Sequence, residues 1–435
     1  MKVVGEPISG KAGARAAFQS PSGISGVSHP SQTAPKARSY DTVTLSICNF
    51  LSKGWEVSIL GMLFYIQAKY ALGLYMVGFL SAAFIVSQIS ISFFAGKIAH
   101  AIHSRNVIFL SIAASAISWL VLFFSGNVAI LFLAFAFGGI SSGLFEPIGN
   151  SLVAKLSSSK NRGTAIGNFA AYGDMGRIAV LAATTALAVW LGVNGASGVL
   201  CLSALAALCL ARICIRPTNG AENGESREIP VHLSELVANR KFCMATAAGM
   251  ADSFSSASLY IWIPFLLTAK GIELANYFNV IFFAGYMAGR LLLGRLADRH
   301  GAPRILMGSK LAMSALIVLL LVLHGRLEMV AVLFLLGVFT RGSSPVIRAM
   351  VADSIDDRVS FHNAFSAFSS ASRGSTALCR PVAGILASLS GVGAVFYMLA
   401  AVSLCTLYPA AKYKNGSATI AAAGQSREPV LSGAE

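Results

Sequence analysis

The chain has 435 residues, of which 55% are hydrophobic and only 12% are charged. Soluble domains carry roughly 25% charged residues, so this composition argues against a soluble globular protein. The formal net charge is +15, but the basic residues lie mostly between apolar runs. That distribution favours orientation in a lipid bilayer and argues against binding of nucleic acid.

Nothing in the sequence supports an enzyme, a metal site or a cofactor. The seven cysteines lie mainly in apolar runs and form no Cys-x-x-Cys pair, which is typical of small buried hydrophobic residues. No His/Cys cluster has the spacing of metal ligands, and no phosphate-binding loop with its lysine is present. We therefore expect no ATP-driven chemistry.

The order of apolar and polar segments predicts an all-α membrane protein. Residues 1–40 are rich in Ser, Gly, Pro and Ala, which predicts a disordered tail that is able to hold a protein partner. Six apolar runs of about 20 residues, the length that spans a bilayer, lie within 41–215, and six more lie within 241–413. A hydrophilic linker at 216–240 separates the two sets, and 414–435 form a second polar tail. The predicted helices are 42–68, 74–96, 106–125, 128–153, 163–191, 195–215, 242–268, 274–296, 304–324, 328–350, 361–389 and 392–411.

Basic residues are distributed unevenly between the two sides of these twelve predicted helices. With the amino terminus inside, the outer loops hold only Lys69, Lys270 and Arg326, and the inner segments hold many more. Because Lys and Arg accumulate in cytoplasmic loops, both termini are expected in the cytoplasm. We expect a multi-pass protein of the bacterial inner membrane.

One predicted hairpin loop carries a specific motif. It reads Gly294-Arg-Leu-Ala-Asp298-Arg299-His-Gly301-Ala-Pro-Arg304 and joins two apolar runs. This order of glycines, acid and bases resembles the signature loop of the major facilitator superfamily of transporters. The resemblance implies two pseudo-symmetric six-helix bundles and a loop that helps to hold the cytoplasmic side closed. The other interpretation is that the arginines only anchor the loop on the cytoplasmic side.

The two halves of the chain look related at a constant offset in residue number. Pro147 and Ala154 in the first half have identical counterparts at the same spacing in the second half, Pro345 and Ala352. Both pairs lie at equivalent helix ends. Duplicated six-helix halves are typical of secondary transporters, with the substrate site between them near the midplane.

The first-half copy of the signature loop departs from the pattern. His100 stands where the second half has Asp298, and His103 stands where it has Gly301. The gating chemistry is therefore expected in the second half, with contacts of His100 and His103 closing the first. No familiar substrate branch of the family is indicated.

Ionisable side chains occur inside the predicted helices, where each costs at least ~2.5 kcal/mol by insertion scales. The bases outnumber the acids, which favours an anionic solute that arginine can clamp. These residues are the bases Lys53, Arg177, Arg290, Lys310, Arg341, Arg373 and Arg380 and the acids Glu56, Glu146, Asp174 and Asp252.

Two interpretations of these charges stay open. In one, Lys53–Glu56 and Asp174–Arg177, each spaced three apart, are neutralising pairs within a helix. In the other, they act on a solute. The substrate-binding candidates are Lys53, Arg177, Arg341 and Arg373, and the proton-coupling candidates are Glu56, Asp174 and Asp252.

These features favour a secondary active transporter that moves a small organic anion by alternating access, coupled to protons or to exchange. The hypothesis places the anion between Arg177 and Arg373. The alternative function is a transporter-fold sensor, scaffold or complex component with little or no transport, whose protein partner binds the amino-terminal tail.

The first prediction concerns the acid of the signature loop. Asp298→Asn should slow transport without abolishing membrane insertion, because only the charge that pairs across the loop is lost. Transport rate and membrane yield are measured on the same preparation, and wild-type transport in the variant would contradict a gating role.

Overall fold

The computed structural model describes residues 37–156, 162–214, 233–272, 277–355 and 361–413. Most of the two predicted tails and most of the linker lie outside these residues, but part of the linker forms the short helix α7. The helices are α1 Ala37–Gly61, α2 Leu63–Tyr70, α3 Leu74–Ile102, α4 Ser104–Phe123, α5 Val128–Leu156, α6 Arg162–Cys214, α7 Leu233–Ala238, α8 Arg240–Ser256, α9 Leu259–Ala269, α10 Phe278–His300, α11 Ala302–Val322, α12 Arg326–Ala352, α13 Phe361–Ser390 and α14 Val392–Cys405.

Within the described residues, eight helices are long and apolar enough to cross a membrane. One of them is α6, whose 53 residues contain a break at Gly192, where φ is 70° and ψ is −178°. A helix of that length would measure roughly 80 Å at 1.5 Å per residue, which is more than twice the hydrocarbon thickness. The two arms of α6 therefore supply two spans, and the prediction of an all-α membrane protein is confirmed.

The predicted total of twelve spans stays a prediction for a physical reason. The first predicted helix is interrupted at Met62, which separates α1 from α2, and the seventh is interrupted between α8 and α9. Helices α8 and α9 have 17 and 11 residues and are each shorter than a span, whereas α1 has 25 residues but carries Lys53 and Glu56, which lower its hydropathy. Helix α13 is continuous, but its first half is rich in serine, which lowers its hydropathy.

The internal repeat predicted from the sequence recurs in the positions of the helices. The offset that carries Pro147 onto Pro345 also carries Ser104, where α4 begins, onto Ala302, where α11 begins. It likewise carries Val128, the start of α5, onto Arg326, the start of α12. The two halves of the chain are therefore built on one helical plan.

The repeat extends to individual helix contacts. A Cβ on Gly139 would lie 2.1 Å from the carbonyl oxygen of Phe84, and a Cβ on Gly337 would lie 2.1 Å from that of Phe282. In the repeat, Gly337 is the counterpart of Gly139, and Phe282 is the counterpart of Phe84. Helices α3 and α5, and likewise α10 and α12, thus pack backbone against backbone, as small residues allow in membranes.

The glycines that precede the signature loop take part in the same packing. A Cβ on Gly285 would meet the carbonyl of Phe334 at 1.9 Å, and one on Gly289 that of Val338 at 2.0 Å. At Gly294 the nearest atom is 4.0 Å away. The close approach of α10 to α12 is therefore made at Gly285 and Gly289, nine and five residues before Gly294.

The two hairpin loops share a backbone conformation although their residues differ. Gly301 has a φ of 87° and His103, its counterpart in the repeat, has a φ of 69°. Such values are uncommon for a residue with a side chain. The first half therefore keeps the geometry of the signature loop without the glycine that the family pattern places there.

The surface between the loops is apolar. Trp190, Leu202 and Leu327 are 82%, 67% and 83% exposed. Large apolar side chains so exposed suit contact with lipid tails rather than with water.

Helices α3 and α13 join the two halves at the end where α3 begins. A Cβ on Gly78 would lie 2.9 Å from the Cα of Gly384, the Ser388 hydroxyl accepts a hydrogen bond from the backbone N–H of Tyr75 at 2.8 Å, and Arg380 donates to the Ser81 carbonyl at 2.6 Å. We call this region the closed end.

The second prediction tests the backbone packing of the repeat. Gly337→Ala should lower the thermal midpoint of the purified protein, because the methyl group has to displace the backbone at Phe282 at a cost of about 1–3 kcal/mol. Gly308→Ala is the matched control, since nothing lies within 4 Å of a Cβ there. The control should keep or raise the midpoint, because alanine favours a helix over glycine by roughly 0.5–1 kcal/mol. Equal midpoints for the two variants would contradict the packing.

Candidate functional site

A cavity of about 220 Å³ lies between the two halves. Helices of both halves line it, with polar side chains from α1, α5, α6, α8 and α13 and aromatic ones from α9 and α10. The charged lining residues are Lys53, Glu56, Glu146, Arg177, Asp252, Arg348, Arg373 and Arg380. The lining thus holds five bases and three acids, an excess of positive charge.

A chain of ion pairs crosses the cavity wall from one half to the other. Lys53 Nζ donates to Glu56 Oε2 at 2.7 Å and to Glu146 Oε2 at 2.9 Å. Arg373 Nη2 of the second half donates to the same Glu146 oxygen at 3.1 Å, and its Nη1 donates to the Ser92 hydroxyl at 3.2 Å. Glu146 therefore ties the two halves together, a role that its position in the sequence did not indicate.

A second tie is centred on Asp174, which is 2% exposed. Its Oδ1 pairs with Arg177 of the same helix, and its Oδ2 pairs with Arg290 of α10. The Arg177 guanidinium also lies over the ring of Tyr286, 5.8 Å from the ring centroid. One carboxylate thus serves two guanidinium groups, one in each half.

Asp252 belongs to a third pair, which stays within the second half. Its Oδ1 pairs with Lys310, which is fully buried, and accepts a hydrogen bond from the Ser343 hydroxyl at 3.0 Å. A buried lysine without this carboxylate would be very unfavourable. The pair therefore stabilises the contact of α8, α11 and α12.

Both intrahelical pairs considered from the sequence, Lys53–Glu56 and Asp174–Arg177, form in the structure. Each also has a further partner on another helix, so neither is only local. Arg373 had no acid nearby in sequence, but Glu146 meets it in space. That these residues bind a solute or carry a proton remains a prediction.

The remaining candidates fall into two groups. The side chains of Arg341, Asp298 and His100 lie outside those that the structure describes. Arg299 and Arg304 of the signature loop are exposed, as expected for the polar end of a membrane hairpin.

The cavity reaches the surface at one end. Arg348, one turn before the end of α12 at Ala352, lines the cavity and is exposed. The opposite end is the closed end, where α3 and α13 meet. The end beside Arg348 is therefore the open end of the cavity.

The chain is similar to known proteins in sequence pattern and in fold. A family model described as Major Facilitator Superfamily matches residues 45–284 and 272–427. Among proteins with curated descriptions, none matches the sequence significantly.

Solved structures show the same arrangement of helices. A bacterial homologue of the human lysosomal transporter Spinster, in an inward-facing and occupied conformation, matches with 16% identity and a TM-score of 0.67, covering 88% of this chain and 98% of that one. A mutant of the nucleoside transporter NupG matches with 13% identity and a TM-score of 0.70, covering 86% and 99% of the two chains. At these identities the likeness concerns the fold.

The third prediction concerns the ion-pair chain. Lys53→Met should destabilise the protein by about 3 kcal/mol or more, because Glu56 and Glu146 then lose the cation that they share. Glu146→Gln should cost less, since Lys53 keeps Glu56. Thermal unfolding of the purified variants measures the order, and the double variant should recover part of the loss. A Lys53→Met protein as stable as wild type would show that the pairing contributes nothing.

Proposed function

Because the chain belongs to the major facilitator superfamily, a family of membrane transporters, we propose that it is a secondary active transporter of a small organic anion. The observation that carries the proposal is the cavity between the halves, whose lining holds five bases against three acids. Such a lining favours a negatively charged solute, which arginine binds through paired hydrogen bonds.

Alternating access requires contacts that break and form between the halves. The cavity is closed at the end where α3 meets α13, and it reaches the surface beside Arg348. With both termini in the cytoplasm of a bacterial inner membrane, as the charge distribution of the loops favours, the surface end is the cytoplasmic end. The conformation is then one that faces inward.

The ion pairs of Glu146 and Asp174, which join the two halves, allow a bound solute to affect this motion. An anion near Arg373 or Arg177 competes with the carboxylates that now hold these arginines. Lys53 and Arg341 complete the proposed binding set. Protonation of Asp174 would loosen one of the ties between the halves, and protonation of Glu56 or Asp252 would loosen the pair with Lys53 or with Lys310. A ligand shifts such an equilibrium only through different contacts in the two states, and exchange of ion-pair partners supplies that difference.

A second function is favoured by one observation, the loss of the signature acid and glycine from the first-half loop. A sensor or scaffold would not need this loop to move, and its partner would bind the amino-terminal tail. The positive φ of His103 matches that of Gly301, so the first-half loop keeps the backbone shape of the signature hairpin. That match supports transport over the second function.

The fourth prediction is tested with purified protein in liposomes. A panel of small organic anions is offered with an imposed proton gradient and, separately, with the same anion inside. We expect saturable uptake of at least one anion, reduced about tenfold or more by Arg373→Ala, because a charge-assisted hydrogen bond contributes roughly 1.5–3 kcal/mol. The matched control is Arg326→Ala, an exposed arginine at the start of α12, which should transport like wild type.

The gradients separate the remaining possibilities. Uptake driven by the proton gradient and lost in Glu56→Gln, Asp174→Asn or Asp252→Asn identifies the carrier. Absence of uptake for every anion under both gradients would contradict transport and favour the sensor or scaffold. Uptake that Arg373→Ala leaves unchanged would remove Arg373 from the binding set.

A further inference from the structure

Arg380 is the basic lining residue whose surroundings differ most from the others. Lys53, Arg177 and Arg373 each face a carboxylate, whereas no ion pair is formed by Arg380 within the described residues. Its side chain is 3% exposed. Its Nη1 donates to the Ser81 carbonyl at 2.6 Å, and its Nε is buried without a hydrogen-bond partner.

A buried guanidinium with one bare N–H and no counter-ion is unfavourable in a low-dielectric interior. The polar groups that follow the same face of α13 do not supply a negative charge. Ser372 and Thr376, two turns and one turn before Arg380, line the cavity with it, and the Ser372 hydroxyl is also buried without a partner. Thr376 donates to the Ser253 carbonyl at 3.3 Å, so the donors left without an acceptor on this face of α13 are Arg380 Nε and the Ser372 hydroxyl.

An aromatic wall lies beside these donors. Tyr260 and Phe283 have ring centroids 5.3 Å apart, and Phe283 and Tyr286 have centroids 5.5 Å apart. All three rings line the cavity, and Tyr260 is close enough to Arg380 for their side chains to interact. Tilted rings at these separations offer a flat apolar body both stacking and edge contacts.

We propose that Arg380 anchors the anionic group of the solute at the closed end of the cavity, and that the solute is a small aromatic carboxylate. Its ring lies against Tyr260, Phe283 and Tyr286, and its carboxylate accepts hydrogen bonds from Arg380 and Ser372. This inference rests on the proposed transport function and names the substrate class of the same cavity.

The position of Arg380 fits the order of events in the cavity. Arg373 lies seven residues earlier in α13, about 10 Å along the helix axis, on the side that reaches the surface. A carboxylate that enters beside Arg348 therefore passes the Arg373–Glu146 pair before it reaches Arg380. Once bound there, it neutralises a charge at the contact of Arg380 with α3, which is where the halves meet.

A purely structural role for Arg380 makes a different prediction. In that case the arginine only joins α13 to the Ser81 carbonyl, and its loss lowers stability for the free and the ligand-bound protein alike. An anchoring role makes the loss depend on the charge of the ligand. Two probes of similar shape, benzoate and the neutral benzamide, distinguish the two roles.

The fifth prediction is measured as ligand-dependent thermal stabilisation of the purified full-length protein. Benzoate should stabilise the wild type and benzamide should not. Arg380→Gln should weaken benzoate about tenfold or more, and Arg380→Lys, which keeps the charge but loses the planar fork, should weaken it less. Arg326→Gln, an exposed arginine at the start of α12, is the matched control and should bind benzoate like wild type.

The outcomes that overturn the inference are distinct. A wild-type protein that benzoate does not stabilise, or that benzamide stabilises equally, would refute the substrate class. Equal benzoate affinity in wild type, Arg380→Gln and Arg380→Lys would refute the anchor.

Liposome uptake of benzoate that is the same in wild type and Arg380→Gln would refute the anchor but would still support the proposed transport function. Arg380-dependent binding without uptake of any anion would confirm the anchor and refute transport.

Discussion

An ionised side chain inside a bilayer needs a partner of opposite charge, because hydrocarbon offers it no water. Apart from Arg380, the charged residues described above satisfy this constraint with a few carboxylates, two of which are shared. Glu146 serves Lys53 and Arg373, and Asp174 serves Arg177 and Arg290. Since each acid holds a base from both halves, the pairs that make burial tolerable are also the ties between the two bundles.

The packing inside each bundle is of another kind. Glycines at equivalent positions of the repeat let α3 meet α5, and α10 meet α12, backbone against backbone. Contacts of this kind have no side chains that could rearrange, so each pair moves as one body. Between the bundles Gly78 and Gly384 also meet backbone against backbone, but the other contacts described above are ion pairs and hydrogen bonds, which can exchange partners. The close backbone packing thus lies mainly within the bundles, and the contacts that can rearrange lie mainly between them.

The sequence predicted the parts of this arrangement that depend on local order. Apolar run lengths, the signature loop and the constant offset between the halves indicated the helical plan, and a spacing of three indicated the Lys53–Glu56 pair. The tie between Glu146 and Arg373 joins residues 227 apart, and nothing in local spacing encodes it. The position of Arg380 was equally hidden, because the absence of a counter-ion is visible only when every neighbouring helix is in place. The interruption at Met62 depends in the same way on the neighbours of the helix.

The contact of Gly78 with Gly384 has a consequence for the balance of conformations. Their Cα atoms are so close that a methyl group on either residue would lie 2.9 Å from the other backbone. Such a group fits only after α3 and α13 have separated. A single added carbon at this crossing would therefore bias the population away from the described state, and on Gly78 it would also meet the Arg380 carbonyl at 2.6 Å. Because Arg380 donates to Ser81 at the same crossing, the packing of two glycines sets the conformational equilibrium of the chain together with the position of that arginine.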